Sequence, residues 1–212
     1  IYKEDFLKIG GHDPLYAPQS KEDSDIFNRF VLAGYKLVQT REGCVYHMTC
    51  RGSRFADGAK RNPDGQVFMK NRETDEWLAQ NIRSTRNFIR KWGTMVEHDE
   101  YLKPIITPIY NIGFELTEAA DVDTIRLLEP HCCYMVVPAA EEITQYIEEE
   151  QPNTQYDLSK RLHQDLPNTP TYDIRVRFNP WRLNNNSITI LQQLPKIIKD
   201  SGDEGQAFEL DI

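Results

Sequence analysis

From residue 109 to the end, short strand-like runs alternate with longer amphipathic ones, and this pattern restricts the fold more than any other feature. Residues 109–116, 133–137 and 172–178 have the length and residue types of β-strands. Residues 122–129, 139–150 and 187–199 carry apolar side chains at helical spacing, with a short helix near 158–162 and a last strand over 207–212. Such alternation predicts an α/β unit in which helices cover a sheet. Pro104 and Pro108 mark where the pattern changes, so this small α/β domain is placed at 104–212.

The preceding part is organised differently. Residues 1–11 read as a short helix or extended lead-in ending at Gly10-Gly11, and residues 12–20, with Pro14 and Pro18, as a loop. Ser20 sits in a cap position before Glu22 and Asp23, and Ile26, Phe27, Phe30 and Val31 recur at helical spacing until Gly34 stops the helix. Residues 35–39 and 43–48 read as two short strands. Residues 51–72, rich in Gly, Pro, Asp, Arg and Lys, form a long polar loop. A helix over 73–92 follows, stopped by Gly93, with Trp77, Ile82, Phe88, Ile89 and Trp92 on its apolar side. Its Arg83, Arg86, Arg90 and Lys91 are read either as a meeting place for an anionic acceptor or as a solvated face paired with Glu73 and Asp75. A second short helix is expected over 95–102, which puts Glu97-His98-Asp99-Glu100 on the surface.

Composition narrows the function. A net charge of -8 on 212 residues offers no broad basic field for nucleic acid or an anionic membrane. No apolar run approaches the roughly 20 residues of a membrane span. Four cysteines without a disulfide framework favour a reducing, cytoplasmic location. Adjacent Cys132 and Cys133 do not readily bridge each other. Cys44, His47 and Cys50 have a zinc-like spacing, but on a strand Cys44 and His47 point to opposite faces, and no fourth ligand stands at a familiar distance.

Several residues could carry chemistry. A carboxylate at Glu22 or Asp23, at the positive end of a helix dipole, can take the proton of an attacking hydroxyl. The plainer reading is a capping pair of Ser20 and Asp23 with a solvated Glu22. His47, at the end of a strand, can serve as one ligand of a divalent ion, or can simply bond a backbone carbonyl. Gly10 and Gly11 permit close backbone approach to a ligand, and Asp13 can accept from sugar hydroxyls or close its own turn. Arg51 and Arg54 can meet a diphosphate or remain in a solvated loop.

In order and spacing, these segments resemble the C-terminal half of the catalytic domain of family 2 glycosyltransferases of the GT-A (Rossmann-like) type. The residues that carry the resemblance are Tyr2-Lys3-Glu4-Asp5-Phe6, Ile9-Gly10-Gly11-His12-Asp13, Glu22-Asp23-Ser24-Asp25, Arg29, Ala33-Gly34-Tyr35, Val45-Tyr46-His47 and Asn87-Phe88-Ile89-Arg90-Lys91-Trp92-Gly93. The resemblance covers about residues 1–100, so the acceptor-side half of such a domain is placed at 1–103. It implies inverting transfer of a sugar from a nucleotide-sugar donor to an acceptor hydroxyl, such as that of a glycan. Asp23 matches the catalytic base, Glu22 its acceptor-positioning neighbour, and His47 a histidine of the site for Mn²⁺ or Mg²⁺ and diphosphate. Arg29 is expected to be structural, paired with Asp25 one helical turn away.

The family's nucleotide-binding half, with its Asp-x-Asp metal motif, has no counterpart here. Asp121-Val122-Asp123 lies far downstream in another element. The chain begins at Ile1 rather than Met, and a missing upstream half is expected. Residues 105–212 are similar to C-terminal extensions on viral and phage glycosyltransferases. Two rival readings are a non-catalytic glycan- or protein-binding module and a metal-dependent hydrolase using Asp23 and His47, for which no further ligand set stands out.

Overall fold

The computed structural model describes residues 1–18, 20–38, 40–43, 60–61, 67–68, 75–100, 103–106, 110–165 and 172–202. Its elements are, in chain order, α1 (Lys3–Lys8), α2 (Glu22–Leu32), the two-residue strands β1 (Lys60–Arg61) and β2 (Val67–Phe68), and α3 (Asp75–Trp92). Then come β3 (Glu97–His98), β4 (Pro104–Ile105), β5 (Ile112–Leu116), α4 (Val122–Leu128), β6 (Tyr134–Val136), α5 (Ala140–Glu150), β7 (Leu162–His163), β8 (Ile174–Phe178) and α6 (Asn185–Ser201).

The expected α/β alternation is present. β7, β6, β5 and β8 form, in that spatial order, a four-stranded sheet in which every neighbouring pair is parallel. Parallel neighbours require crossovers, and α4 and α5 supply the first two. Ile112, Phe114 and Leu116 alternate toward one face of β5, where they meet Ile125 and Leu128 of α4, Ile143 and Tyr146 of α5, and Leu191 and Leu194 of α6 in one buried cluster. On the other face Gly113 has Tyr172 against it, and a Cβ there would lie 2.7 Å from the ring. Glycine is therefore the residue that lets this aromatic ring close over the strand. In a sheet of this order a ligand crevice usually opens beyond the C-terminal ends of the strands where the connections reverse. Here the pairing of β5 and β8 continues past that end: the Thr117 amide and hydroxyl both donate to the Phe178 carbonyl.

Local caps close the starts of α4 and α6. Asp121 caps α4 through the Thr124 amide, and Asn184 and Ser187 form a reciprocal capping box on α6. Gly34, with φ of 81°, follows α2 in the left-handed region, as its position predicted. Ser20 departs from expectation. Ser20 and Lys21 both lie in the left-handed region, with φ of 79° and 74°, so the helix begins one residue later and Lys21 holds the cap position without a side-chain cap. The serine hydroxyl is then too early in the chain to close the first turn.

Two further expectations are corrected. The described residues 95–100 of the expected 95–102 helix are not helical: β3 and β4 pair antiparallel, Glu97 opposite Ile105 and His98 opposite Pro104, and the Asp99 amide donates to the Lys103 carbonyl. The acids of that segment are still on the surface, and Glu97 pairs with Lys196 at 2.8 Å. Residues 35–38 are not in a strand; Tyr35 packs edge-on against Phe30 and donates to Asp5 at 2.8 Å. The expected strand over 43–48, most of the loop over 51–72 and the strand over 207–212 lie outside the described residues, as do Cys44 and Cys50. Cys132 and Cys133 are free thiols, as their adjacency predicted, and burial pushes both up from the usual range.

For Arg86 and Arg90 the basic side of α3 is the largest correction. Arg90 is fully buried and donates to Glu129, Glu150, Asn87 and Tyr146. Arg86 grips Glu150 with two bonds, at 2.8 and 2.5 Å, and Arg161 meets Glu129 from the other side. These arginines are neither solvated nor free for an acceptor. Burial would raise the Glu129 carboxyl, but Arg161 and Arg90 overcome it and hold the group below its ordinary range. A second small core of Tyr16, Phe88 and Trp92 lies on the same helix, so α3 is packed both against the N-terminal segment and against the sheet unit.

Beside this network His131 is buried, and burial holds its imidazole neutral, with a pKa of about 4, against a weaker opposing pull from Glu129. Above the unfolded value of 6.5 the ring is neutral in both states and its full contribution is present. As pH falls from there toward about 4, the unfolded chain takes up a proton that the folded one refuses, and stability drops by up to about 1.4 kcal/mol per pH unit. Urea midpoints measured at about pH 7 and pH 5 should differ more for the wild type than for His131→Phe. An identical pH dependence in the variant would contradict this assignment.

Candidate functional site

The acid-bearing start of α2 is held by a charged core built from three segments. Asp25, fully buried, accepts from Arg29 Nε at 2.8 Å and from Trp92 Nε1 at 3.0 Å, and meets Lys91 Nζ at 2.7 Å. The Tyr16 hydroxyl donates to the same carboxylate at 3.3 Å, and burial first, then the nearby acids, push that phenol far up. The pairing of Asp25 with Arg29 is the one expected from their spacing.

Arg29 also explains Gly10-Gly11. Its two terminal nitrogens donate to the carbonyls of Ile9 at 2.6 Å and Gly11 at 2.5 Å. Both glycines are left-handed, with φ of 92° and 68°, which bends the chain so that two carbonyls converge on one guanidinium. The close approach these glycines permit is the approach of Arg29, with the Phe6 ring packed against Gly11.

Asp13 is engaged at both oxygens. One accepts from the Leu15 amide at 2.9 Å, capping a single 3-10 turn over Pro14–Tyr16, and the other from Lys91 at 2.7 Å. Burial alone would raise its carboxyl, but Lys91, the Leu15 amide and Arg29 more than offset this and hold it low. Lys91 thus ties Asp13 to Asp25, and the loop over 9–17 to α2 and α3.

Against this frame Glu22 and Asp23 occupy the first turn of α2. Glu22 is half-buried, and its Oε2 is buried without a hydrogen-bond partner. Asp23 is exposed and makes no hydrogen bond or ion pair with any described residue. Its carboxylate therefore faces solvent at the positive end of a helix that no side chain caps. His47, Arg51 and Arg54 lie outside the described residues. The described residues contain no group of three or more His, Cys, Asp or Glu side chains that could hold a metal ion. They do not by themselves build the expected Mn²⁺ or Mg²⁺ site.

The sequence reading missed Lys91, Trp92 and Tyr16 as supports of this site. Lys91 and Trp92 were legible only as the end of a helix, and their convergence on Asp25 depends on how α3 crosses α2. The chain is thus a mixed α/β protein with a parallel sheet and, at its N-terminal side, an exposed carboxylate on a rigidly supported helix start. Comparison with protein-family models, curated proteins and solved structures finds no match. Among the described residues no helix is long and apolar enough to cross a membrane.

Proposed function

We propose that this chain provides the acceptor side of a family 2, GT-A-type glycosyltransferase acting in the cytoplasm. The observation that carries the reading is Asp23, exposed and without a partner among the described residues, on a helix start whose neighbours are locked in place. In the reaction, the Asp23 carboxylate takes the proton of an acceptor hydroxyl as that oxygen attacks the anomeric carbon. The bond from that carbon to the diphosphate breaks, the nucleoside diphosphate leaves, and the configuration inverts. Glu22, the preceding residue, would orient the acceptor. Asp13 and Gly11 would serve by fixing the loop, because the Asp13 carboxylate and the Gly11 carbonyl are already engaged by Lys91, Leu15 and Arg29, and Gly10 would serve through its left-handed turn.

Donor and diphosphate contacts are assigned to no described residue. The reading leaves His47, Arg51 and Arg54, together with a Mn²⁺ or Mg²⁺ ion, to that part of the reaction. An ion there would neutralise charge on the departing diphosphate.

The test is the product's configuration. Proton NMR of the reaction of the full-length protein with a nucleotide-sugar and a saccharide acceptor should show the anomer opposite to that of the donor. A product with retained configuration would overturn a single displacement with Asp23 as base.

A further inference from the structure

We propose that the cleft between the 14–17 loop, the middle of α3 and the turn after α5 binds an acidic saccharide, a sugar that carries a carboxylate. Its place as an acceptor subsite rests on the glycosyltransferase reading; recognition of the sugar itself does not.

The cleft has a volume of about 330 Å³, within the range of small-molecule sites of about 300–1,000 Å³. Pro14, Leu15 and Ala17 form one wall, and Pro152 to Gln155 the opposite one. Between them Gln80, Arg83 and Asn87 project from α3. Ala17 is separated from the acids at Glu22 and Asp23 only by Pro18, Gln19, Ser20 and Lys21, so the wall leads directly into the acid-bearing helix.

The chemistry of the lining is unlike the rest of α3. Arg83 donates to Asn153 Oδ1 at 3.1 Å and to Gln80 Oε1 at 2.6 Å, both neutral amide oxygens, and no described carboxylate pairs with it. Arg86 and Arg90, one and two turns further on, are each neutralised by buried acids. Among the described residues Arg83 is also the only charged side chain lining the cleft. A guanidinium with unused N–H groups beside a cleft without acids is matched by a carboxylate, which it can grip at two points.

The amides account for the rest of the ligand. Gln80 is fixed by bonds to the Ala17 carbonyl at 3.1 Å and Ser84 at 3.0 Å, and Asn87 by a bond to the Asn153 carbonyl at 2.9 Å. Both N–H groups of Gln80 are thereby taken, so what is left for sugar hydroxyls is a lone pair on its oxygen, one N–H each on Asn87 and Asn153, and the amide of Gln155. Because these side chains are already ordered, little conformational entropy is lost on binding. The exposed Gln155 completes the rim.

The test is binding, not turnover. A glucuronate-containing disaccharide and its glucose counterpart are titrated into the full-length protein, following side-chain amide signals by NMR. The uronate should shift the signals of Gln80, Asn87 and Asn153 and bind about tenfold or more tightly than the neutral sugar. Arg83→Gln should erase that preference, and Arg83→Lys should restore part of it. Should Arg83→Gln not fold, Gln155→Ala at the rim should still weaken uronate binding. Equal affinity for the two sugars, binding by neither, or equal displacement by acetate alone would overturn the proposal. Uronate binding is read without donor and without turnover, so failure of the transferase reading and failure of the cleft reading give different results.

Discussion

Replacing Glu129 with glutamine is expected to cost about 3–5 kcal/mol of folding stability, the largest effect of any single substitution in the sheet unit. The carboxylate is fully buried and is shared by Arg90, which has no exposed side-chain surface, and by Arg161. Removing its charge leaves two guanidiniums facing each other in the interior, with only Glu150 to answer one of them. The cost lies in the unanswered charges rather than in the intrinsic worth of the pair. Glu150→Gln should cost less, because its partner Arg86 keeps some contact with solvent. A double change of Glu129 and Arg90 to methionine should recover only part of the loss, since it removes one stranded guanidinium and leaves Arg161 without its acid. Urea midpoints at constant slope measure all of these. A loss below about 1 kcal/mol for Glu129→Gln would mean that the network is open to water.

The same network has a functional consequence. It clamps α3 to the end of α5 and to the turn before β6, and so fixes Arg83 of the cleft against the wall that contains Asn153. The other half of α3 holds Lys91 and Trp92 against Asp25. One helix thus positions both the acid-bearing start of α2 and the polar cleft beside the loop that leads to it.

Period and punctuation in the sequence were enough for much of this. The strand and helix alternation beyond residue 110, the stop of α2 at Gly34 and the pairing of Asp25 with Arg29 are local, and neighbouring residues encode them. The inward turn of Arg86 and Arg90 is not local. Their partners lie 64 and 39 residues away, and a basic stripe has the same spacing whether it meets water or buried acids. Residues 95–102 contain no glycine or proline to break a helix before Pro104, so the β3–β4 hairpin is invisible until the strands pair. Ser20 misled for a related reason: a cap residue is recognisable by type, but the left-handed backbone that moves the cap to Lys21 is not. At the candidate site the acids were legible by type and position, whereas the supports beneath them come from distant chain.

Asp23→Asn is expected to lower sugar transfer by about 10²–10⁴-fold, the contribution of a positioned general base. Asparagine keeps the size and nearly the shape of the side chain and cannot take the hydroxyl proton. The residue is exposed and bonds no described neighbour, so the substitution should leave the fold and the Asp25–Arg29–Lys91 core unchanged. Donor affinity should be nearly unaffected, because the base meets the acceptor and not the nucleotide. Loss confined to kcat at saturating donor therefore separates a missing base from a damaged fold.

The most direct test of the account is that comparison made on the full-length protein: the rate of sugar transfer at saturating donor, wild type against Asp23→Asn, with donor binding measured alongside. The account predicts a fall of at least about 10²-fold in rate with donor binding preserved. Turnover by the variant at a rate close to wild type would contradict it.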